Sequence, residues 1–286
     1  MPLSLRSFIR KSPAVASVVV VVYAVLAGAF IWYSEYSRIV NERRYAAAIG
    51  KEYAHTVQLN IEQALASAYA LGAMVQLNKG DVPEFDTVAA ALRSFYPGIS
   101  ALQLAPDGVV QKVVPLAGNE KAIGHNLLVD PERDKEAFLA RDTGKLTLAG
   151  PFPLVQGGLG AVGRLPVYLD NPQGGTRFWG FVTVLIRFPD VLDRARLPQL
   201  AERGYLYEVW RTHPDTGKKH VIATSSGRSL HDPVDVALHV PNATWTLSLV
   251  PARGWIDRMG LIGKVTLALF ILMLLIVSSW RPHTDQ

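Results

Sequence analysis

The chain has 286 residues, 29 Lys plus Arg against 24 Asp plus Glu, 49% hydrophobic residues and no cysteine. Charged residues make up only 19% and the mean hydropathy is +0.18, which excludes a disordered chain and departs from a simple soluble domain. Zero cysteine excludes disulfide scaffolds, Cys-ligated zinc, iron–sulfur clusters and thiol catalysis.

The net charge of +5 does not mark a nucleic-acid binder. Arg6, Arg10 and Lys11 sit in a short N-terminal tail, and no basic patch interleaved with aromatics follows. Residues 14–33 carry no charge, and about 20 apolar residues span a bilayer as a helix. Trp32 and Tyr33 stand where an interfacial aromatic belt belongs. A cleaved signal peptide would have a shorter apolar region and a small-residue cleavage site. Glu35 and Tyr36 follow instead, so a retained anchor is expected, with residues 1–13 as a cytoplasmic tail.

Residues 34–79 are rich in Ala, Glu, Gln and Leu and contain no proline. Leu59, Ile61, Leu65, Ala68, Leu71 and Val75 predict the apolar face of a long stalk helix. Such a face needs burial, against the domain or against the stalk of a second copy; a homodimer through the stalk is expected. Asn78-Lys79-Gly80 ends the helix, and Asp81-Val82-Pro83-Glu84 opens another through about Ser94.

The pattern then turns β-rich. Residues 99–105 and 109–114 flank the turn Pro106-Asp107-Gly108 and predict a hairpin. Residues 130–140 read as a helix with Asp130 as N-cap and Pro131 as its first residue. Strands are expected at 146–149, 164–169, 177–187, 205–211, 220–223 and 244–250, with turns at Pro214-Asp215-Thr216-Gly217 and Pro241-Asn242. The fold class is α+β, with antiparallel hairpins forming two small sheets along the long helix.

A second apolar segment covers residues 260–280, with Lys264 near one end, where a long side chain can snorkel to the interface. Arg281 follows it. Basic residues before the first span and after the second put both tails in the cytoplasm. Residues 34–258 then lie outside the inner membrane of a bacterial cell, a two-pass arrangement in the lipid bilayer. The tail at residues 281–286 has no room for an output domain.

Several motifs point to chemistry and fail on context. Gly158-Leu-Gly160-Ala-Val-Gly163 has the spacing of a dinucleotide loop, but Arg164-Leu165-Pro166 follows where a helix is needed. It reads instead as a flexible glycine loop entering a strand. The seven histidines show no metal-binding spacing, and no nucleophile elbow occurs. No catalytic residue, metal or cofactor is expected. Trp210, Trp245 and Trp255 read as core or interface residues.

A resemblance covers residues 45–249. It is carried by Phe95-Tyr-Pro-Gly-Ile-Ser-Ala-Leu-Gln-Leu-Ala-Pro106, Pro115-Leu-Ala-Gly-Asn-Glu-Lys-Ala-Ile-Gly-His-Asn126, Asp130-Pro-Glu-Arg133, Ala140 through Gly158, Leu165-Pro-Val-Tyr168 and Phe178-Trp-Gly-Phe-Val182. These segments resemble the CHASE family of extracytoplasmic sensor domains. That family lies between two membrane helices, ahead of histidine kinases, nucleotide cyclases or diguanylate cyclases. The resemblance implies a stalk helix at 34–79, a distal PAS-like subdomain at about 80–188 and a proximal one at about 189–252. It also implies a small-molecule signal in the distal subdomain and, here, a separate or missing output partner such as a histidine kinase or diguanylate cyclase. The family often has an acidic residue where this chain has Asn126, the position that meets the purine in plant cytokinin receptors. Asn carries no charge, so a neutral small ligand, or none, is as compatible as cytokinin.

The expected site is a pocket walled by Leu102 and Leu104, by Leu148, Phe152 and Leu154, and by Pro166 and Tyr168. Asn126 would be its main polar side chain, and Gly157 and Gly158 would offer backbone groups. Apolar walls with sparse polar groups suit a small-molecule site. The alternative is a structural or assembly membrane protein whose CHASE fold holds no ligand.

Overall fold

The computed structural model describes residues 13–130, 134–154, 157–188, 190–214 and 216–279. The chain forms two compact units, residues 1–46 with 251–286, and residues 47–250.

The first unit holds the beginning of helix α1 (Pro13–Leu77), a single 65-residue helix, together with the last helix of the chain, residues Arg258–Ser279. Both are long and apolar enough to cross a membrane, and their apolar stretches are not buried by protein. Leu26, Phe30, Leu267 and Phe270 are all exposed, a surface that suits lipid rather than water. The Tyr23 hydroxyl donates to the Ala268 carbonyl at 3.1 Å.

Just beyond the apolar stretch of α1, charged side chains close a network. Lys264 Nζ donates to Glu35 Oε1 at 2.7 Å and to Ser34 Oγ at 3.1 Å. Arg38 bonds Glu35 at 3.1 Å, Glu42 at 2.8 Å and the Trp255 carbonyl at 2.7 Å. Arg253 reaches Glu42 at 2.9 Å. The bond from Lys264 is the largest influence holding the Glu35 carboxyl below its ordinary range. Lys264→Glu would set a second carboxylate against Glu35. It should lower the melting temperature of the full chain in lipid nanodiscs, whereas Lys264→Arg should keep it close to wild type.

The second unit contains two antiparallel sheets along the rest of α1. After α1 come α2 (Phe85–Phe95), β1 (Ile99–Pro106), β2 (Lys112–Val114), a 3-10 turn (Glu120–Ala122), α3 (Lys135–Thr143), β3 (Thr147–Pro153), β4 (Leu159–Asp170) and β5 (Thr176–Phe188). The five strands form a sheet in the order β2-β1-β5-β4-β3. Next come α4 (Asp190–Arg194), α5 (Gln199–Glu202), β6 (Tyr205–Thr212), β7 (Lys219–Thr224), β8 (Val234–Val240) and β9 (Ala243–Pro251), in a four-stranded sheet ordered β7-β6-β9-β8; the last helix is α6.

The buried stripe of α1 in this unit is Val57, Ile61, Ala64, Leu65, Ala68, Leu71 and Val75, each at most 3% exposed. The spacing is that of one helix face, and each fully buried Ile, Leu or Val contributes about 1.5–3 kcal/mol of transfer free energy. Leu59, expected on this face, is instead 40% exposed. It is two residues from both Val57 and Ile61, about 200° around the helix.

Three other expectations change. The helix expected from Pro131 begins at Lys135; the proposed capping residue Asp130 is described, while residues 131–133 lie outside the described residues. The glycines read as a flexible loop are mostly strand, since β4 starts at Leu159 and contains Gly160 and Gly163. Both are there for close packing. A Cβ on Gly160 would lie 2.6 Å from Leu154 Cδ1 and 2.8 Å from the Ile186 carbonyl oxygen, and one on Gly163 would lie 2.1 Å from Leu65 Cδ2. Strand β8 was not expected at all. It pairs along its whole length with β9, Val236 opposite Leu247 and Leu238 opposite Trp245.

Candidate ligand cleft

The first sheet presents two differently built faces. Successive side chains on a strand alternate in direction, and the register aligns equivalent positions across strands. Leu102, Val184 and Gly163 form one cross-strand row; Leu104, Val182 and Leu165 form the next. Gly163 approaches Leu65 of α1, and Leu165 approaches Gly72 of α1. This face therefore packs on the stalk. Leu148, opposite Gly163, belongs to it as well.

The other face carries Gln103, Thr183, Arg164 and Thr147 in one row across β1, β5, β4 and β3. All four are buried, Arg164 at 1% and Thr183 at 0% exposure. Thr183 Oγ1 donates to Gln103 Oε1 at 2.7 Å, and Thr147 Oγ1 donates to the Glu136 carbonyl of α3 at 2.8 Å. Helix α3 covers one side of this face, with Ala137 and Ala140 in a core with Ala105 and Phe181. Four polar side chains aligned inside an apolar sheet are costly unless bonded.

Beside that row opens a small cleft with a free volume of about 30 Å³. Gln103 and Arg164 form its polar floor, next to Val162 and Leu185. Phe152 and Leu154 wall one side. Val110, Ala122, His125 and Leu127 close the other. That second wall is held by backbone bonds: Val110 to the His125 carbonyl at 3.0 Å, Gly124 to Val110 at 2.8 Å and Leu127 to Gly108 at 2.8 Å. His125 Nε2 stands 3.6 Å from Asp130 Oδ2 at the partly exposed mouth.

Of the site residues expected from sequence, Phe152 and Leu154 line the cleft. Leu102, Leu104 and Leu148 lie on the stalk face of the sheet. Pro166 sits on the cleft side, one row beyond Arg164 and opposite Phe181. The Tyr168 hydroxyl donates to the Arg141 carbonyl, and its ring packs edge-on against Phe178 at 5.7 Å; it fastens the end of α3. Burial, with the Asp142 carboxylate adding to it, raises the phenol above its ordinary pKa and keeps it a donor. Gly157 and Gly158 form the β3–β4 turn, Gly157 donating to the Leu154 carbonyl at 2.9 Å and Leu154 to that of Gly158 at 2.9 Å.

Asn126 falls between two cleft residues, His125 and Leu127, in a segment bridged to Val109. Its Oδ1 accepts from the Leu128 amide at 2.9 Å, a local turn bond. Asn126→Leu should therefore lower the unliganded stability by about 1 kcal/mol through that lost bond. A thermal melt of the variant checks this; an unchanged melting temperature would contradict the turn role.

Sequence reasoning missed Gln103, Thr183 and Arg164. Each is a lone polar residue inside an apolar run, which is the legible sign of a buried polar group. A second depression, lined by Glu52, Tyr53, Arg194, Arg196 and Arg203 beside α1, is roomier, with about 240 Å³ clear. Its arginines are exposed, where ion pairing in water contributes little.

The described elements are one long helix, two antiparallel PAS-like sheets and a C-terminal apolar helix. The sequence matches the CHASE domain model over residues 51–218, more than half its length, and the protein belongs to the CHASE domain family. Among solved structures it is similar to an extracellular ligand binding receptor from Desulfohalobium retbaense, at TM-score 0.54 and 15% identity over 69% of this chain; it spans 38% of that receptor's length. It also resembles the sensory domain of the Campylobacter jejuni chemoreceptor Tlp3, at TM-score 0.48 and 9% identity, over 77% of this chain and 98% of that one. The periplasmic domain of Vibrio cholerae LuxQ matches at TM-score 0.40 and 11% identity, over 73% and 99%. At 15% identity the likeness to the first of these is one of fold alone. No curated protein matches the chain. The family and the flanking helices fit a two-pass membrane protein with an extracellular-type sensor domain.

Proposed function

We propose that this sensor binds a small molecule in the cleft of the first sheet and passes the resulting shift into α1. The shift then travels through the membrane helices to a separate histidine kinase or diguanylate cyclase. The main support is that a single sheet carries both parts, the cleft on one face and the stalk contacts of Leu65 and Gly72 on the other. A sheet whose cleft face is spread by a ligand must adjust its opposite face, because packed interiors transmit strain. The binding walls are Phe152 and Leu154 with Gln103 and Arg164.

The remaining parts of this reading follow from the same chain. Residues 34–258 face the periplasm and both tails the cytoplasm of a bacterial inner membrane, from the basic residues Arg6, Arg10, Lys11 and Arg281. The exposed side of α1 repeats Leu59, Glu62, Ala66, Tyr69 and Ala73 at alternating steps of three and four, the spacing of a helix pair, so a second copy pairs there. Alkaline phosphatase fused after residue 120 should be active in cells; a silent fusion would overturn the orientation.

The binding claim is tested by melting the full chain in detergent micelles against a library of small metabolites. At least one compound should raise the melting temperature saturably, and His125→Trp, which fills the mouth of the cleft, should remove that rise. Without such a compound, or with a rise that survives the plug, the reading as an assembly protein without a ligand takes its place.

A further inference from the structure

We infer that the depression between α1 and the α4–α5 connection is a second binding site, for a phosphate monoester on a polar molecule. Arg194, Arg196 and Arg203 hold its phosphoryl oxygens. The site is separate from the cleft of the first sheet and goes beyond the sensor reading.

Arg196 carries the first observation. Its N–H donates to the Asp193 carbonyl at 2.8 Å, and the Leu197 N–H donates to the Leu192 carbonyl at 3.1 Å. These are the paired bonds that close a helix C-terminus on a left-handed residue. That residue is usually glycine, because a Cβ is disfavoured there. Here it is an arginine at φ 55°, and its side chain lines the depression. A side chain kept at such a position against conformational preference is a mark of function.

Two more arginines share the depression. Arg194 ends α4 and Arg203 follows α5, and both line the same space, with about 240 Å³ clear. Tyr53 of α1 is buried and stations Arg203, whose guanidinium carbon lies 5.7 Å from the ring centroid. The ring has no net charge, so the guanidinium keeps its own for a ligand. None of the three arginines is in an ion pair with a described carboxylate. Residue 189, the undescribed neighbour of α4, is proline and brings no charge. Asp190, Asp193 and Glu202 of α4 and α5 are exposed and are not among the walls.

The walls set the ligand class. Glu52 is the acid among them, so three positive charges and one negative leave a formal +2. A phosphate monoester carries about −1.5 to −2 near pH 7 and three strong acceptor oxygens, which guanidinium forks bind bidentately. A carboxylate would cancel only half of the charge. One exposed ion pair in water contributes little, but several charges around one ion act as a network. Thr56 and Gln199 put polar groups beside the arginines and suit a hydroxylated remainder of the molecule.

The test is calorimetric titration of the full chain in detergent micelles free of phospholipid. The probes are glycerol 3-phosphate, glycerol and sodium acetate at matched ionic strength. Glycerol 3-phosphate should bind saturably and the other two should not. Arg196→Gly should keep or raise the melting temperature of the unliganded chain, since glycine suits this backbone, yet weaken binding at least tenfold. Glu52→Gln removes the acid from the walls and should tighten binding several-fold. Nanodiscs of phosphatidylcholine with and without phosphatidic acid form the second arm. Stabilisation by phosphatidic acid that Arg196→Gly removes would assign the same chemistry to a lipid headgroup. Absence of binding in both arms, equal binding of acetate, or a Kd unmoved by Arg196→Gly or loosened by Glu52→Gln would overturn the inference. His125→Trp should leave the titration unchanged, so this site and the cleft of the first sheet stand or fall separately.

Discussion

Gly180→Ala should destabilise residues 47–250 by about 3 kcal/mol or more, from backbone strain and overpacking together. Gly180 lies in β5 at φ 147°, and a Cβ there would stand 2.2 Å from the Ala105 carbonyl oxygen and 2.6 Å from Pro106 Cα. Those are backbone atoms of the neighbouring strand β1, so no side-chain rotation relieves the clash. The position is one residue from Phe181, fully buried in the core beneath α3, and three residue pairs along β1 and β5 from the polar row. For a unit of this size 1 kcal/mol moves the melting temperature by roughly 2–4 °C, so a fall of roughly 6–12 °C is expected. A variant that melts with the wild type would mean that the β1–β5 approach at Gly180 is looser than described.

Gly163→Val should cost about 2–3 kcal/mol, by a different route. Here the conflict is with Leu65 Cδ2, 2.1 Å from the added Cβ, the far end of a side chain on α1. Leu65 is only 3% exposed and has little room to turn away. The valine should lift the stalk from the sheet. Leu65→Ala alone leaves a cavity and also destabilises. In the double variant the valine methyls enter that cavity, so the two losses should fall short of additivity by at least about 1 kcal/mol. Chemical denaturation of the four proteins measures this; strict additivity would separate Gly163 from Leu65. Because this contact joins the ligand-bearing sheet to the stalk, Gly163→Val should also uncouple ligand binding from any change in α1.

Local signals were legible in the sequence and long-range register was not. The unbroken α1 follows from a proline-free run with an apolar stripe, and the β1–β2 hairpin from Pro106-Asp107-Gly108. Strand β8 was a missed signal: Val234, Val236, Leu238 and Val240 alternate with Asp235, Ala237 and His239, the pattern of a half-buried strand, and it pairs along its length with β9. Gly160 and Gly163 looked like a loop because glycine signals freedom locally. What they supply is space for Leu154 and Leu65, one just past the end of the neighbouring strand β3 and the other about 100 residues away. The cleft shows the same division. Phe152 and Leu154 stood out as apolar residues beside glycines. Gln103, Thr183 and Arg164 are far apart in the chain and become one polar row only through the pairing of β1, β5 and β4.

Hydrogen–deuterium exchange of the full chain in nanodiscs, with and without a stabilising small molecule, tests the central claim most directly. A ligand in the cleft should slow exchange at residues 101–104, 122–128, 152–154 and 160–165, and should alter exchange in α1 around Leu65 and Gly72, where that sheet rests. Protection confined to the second sheet, or protection of the cleft with α1 unchanged, would contradict a sensor that reads its ligand there and hands the signal to the stalk.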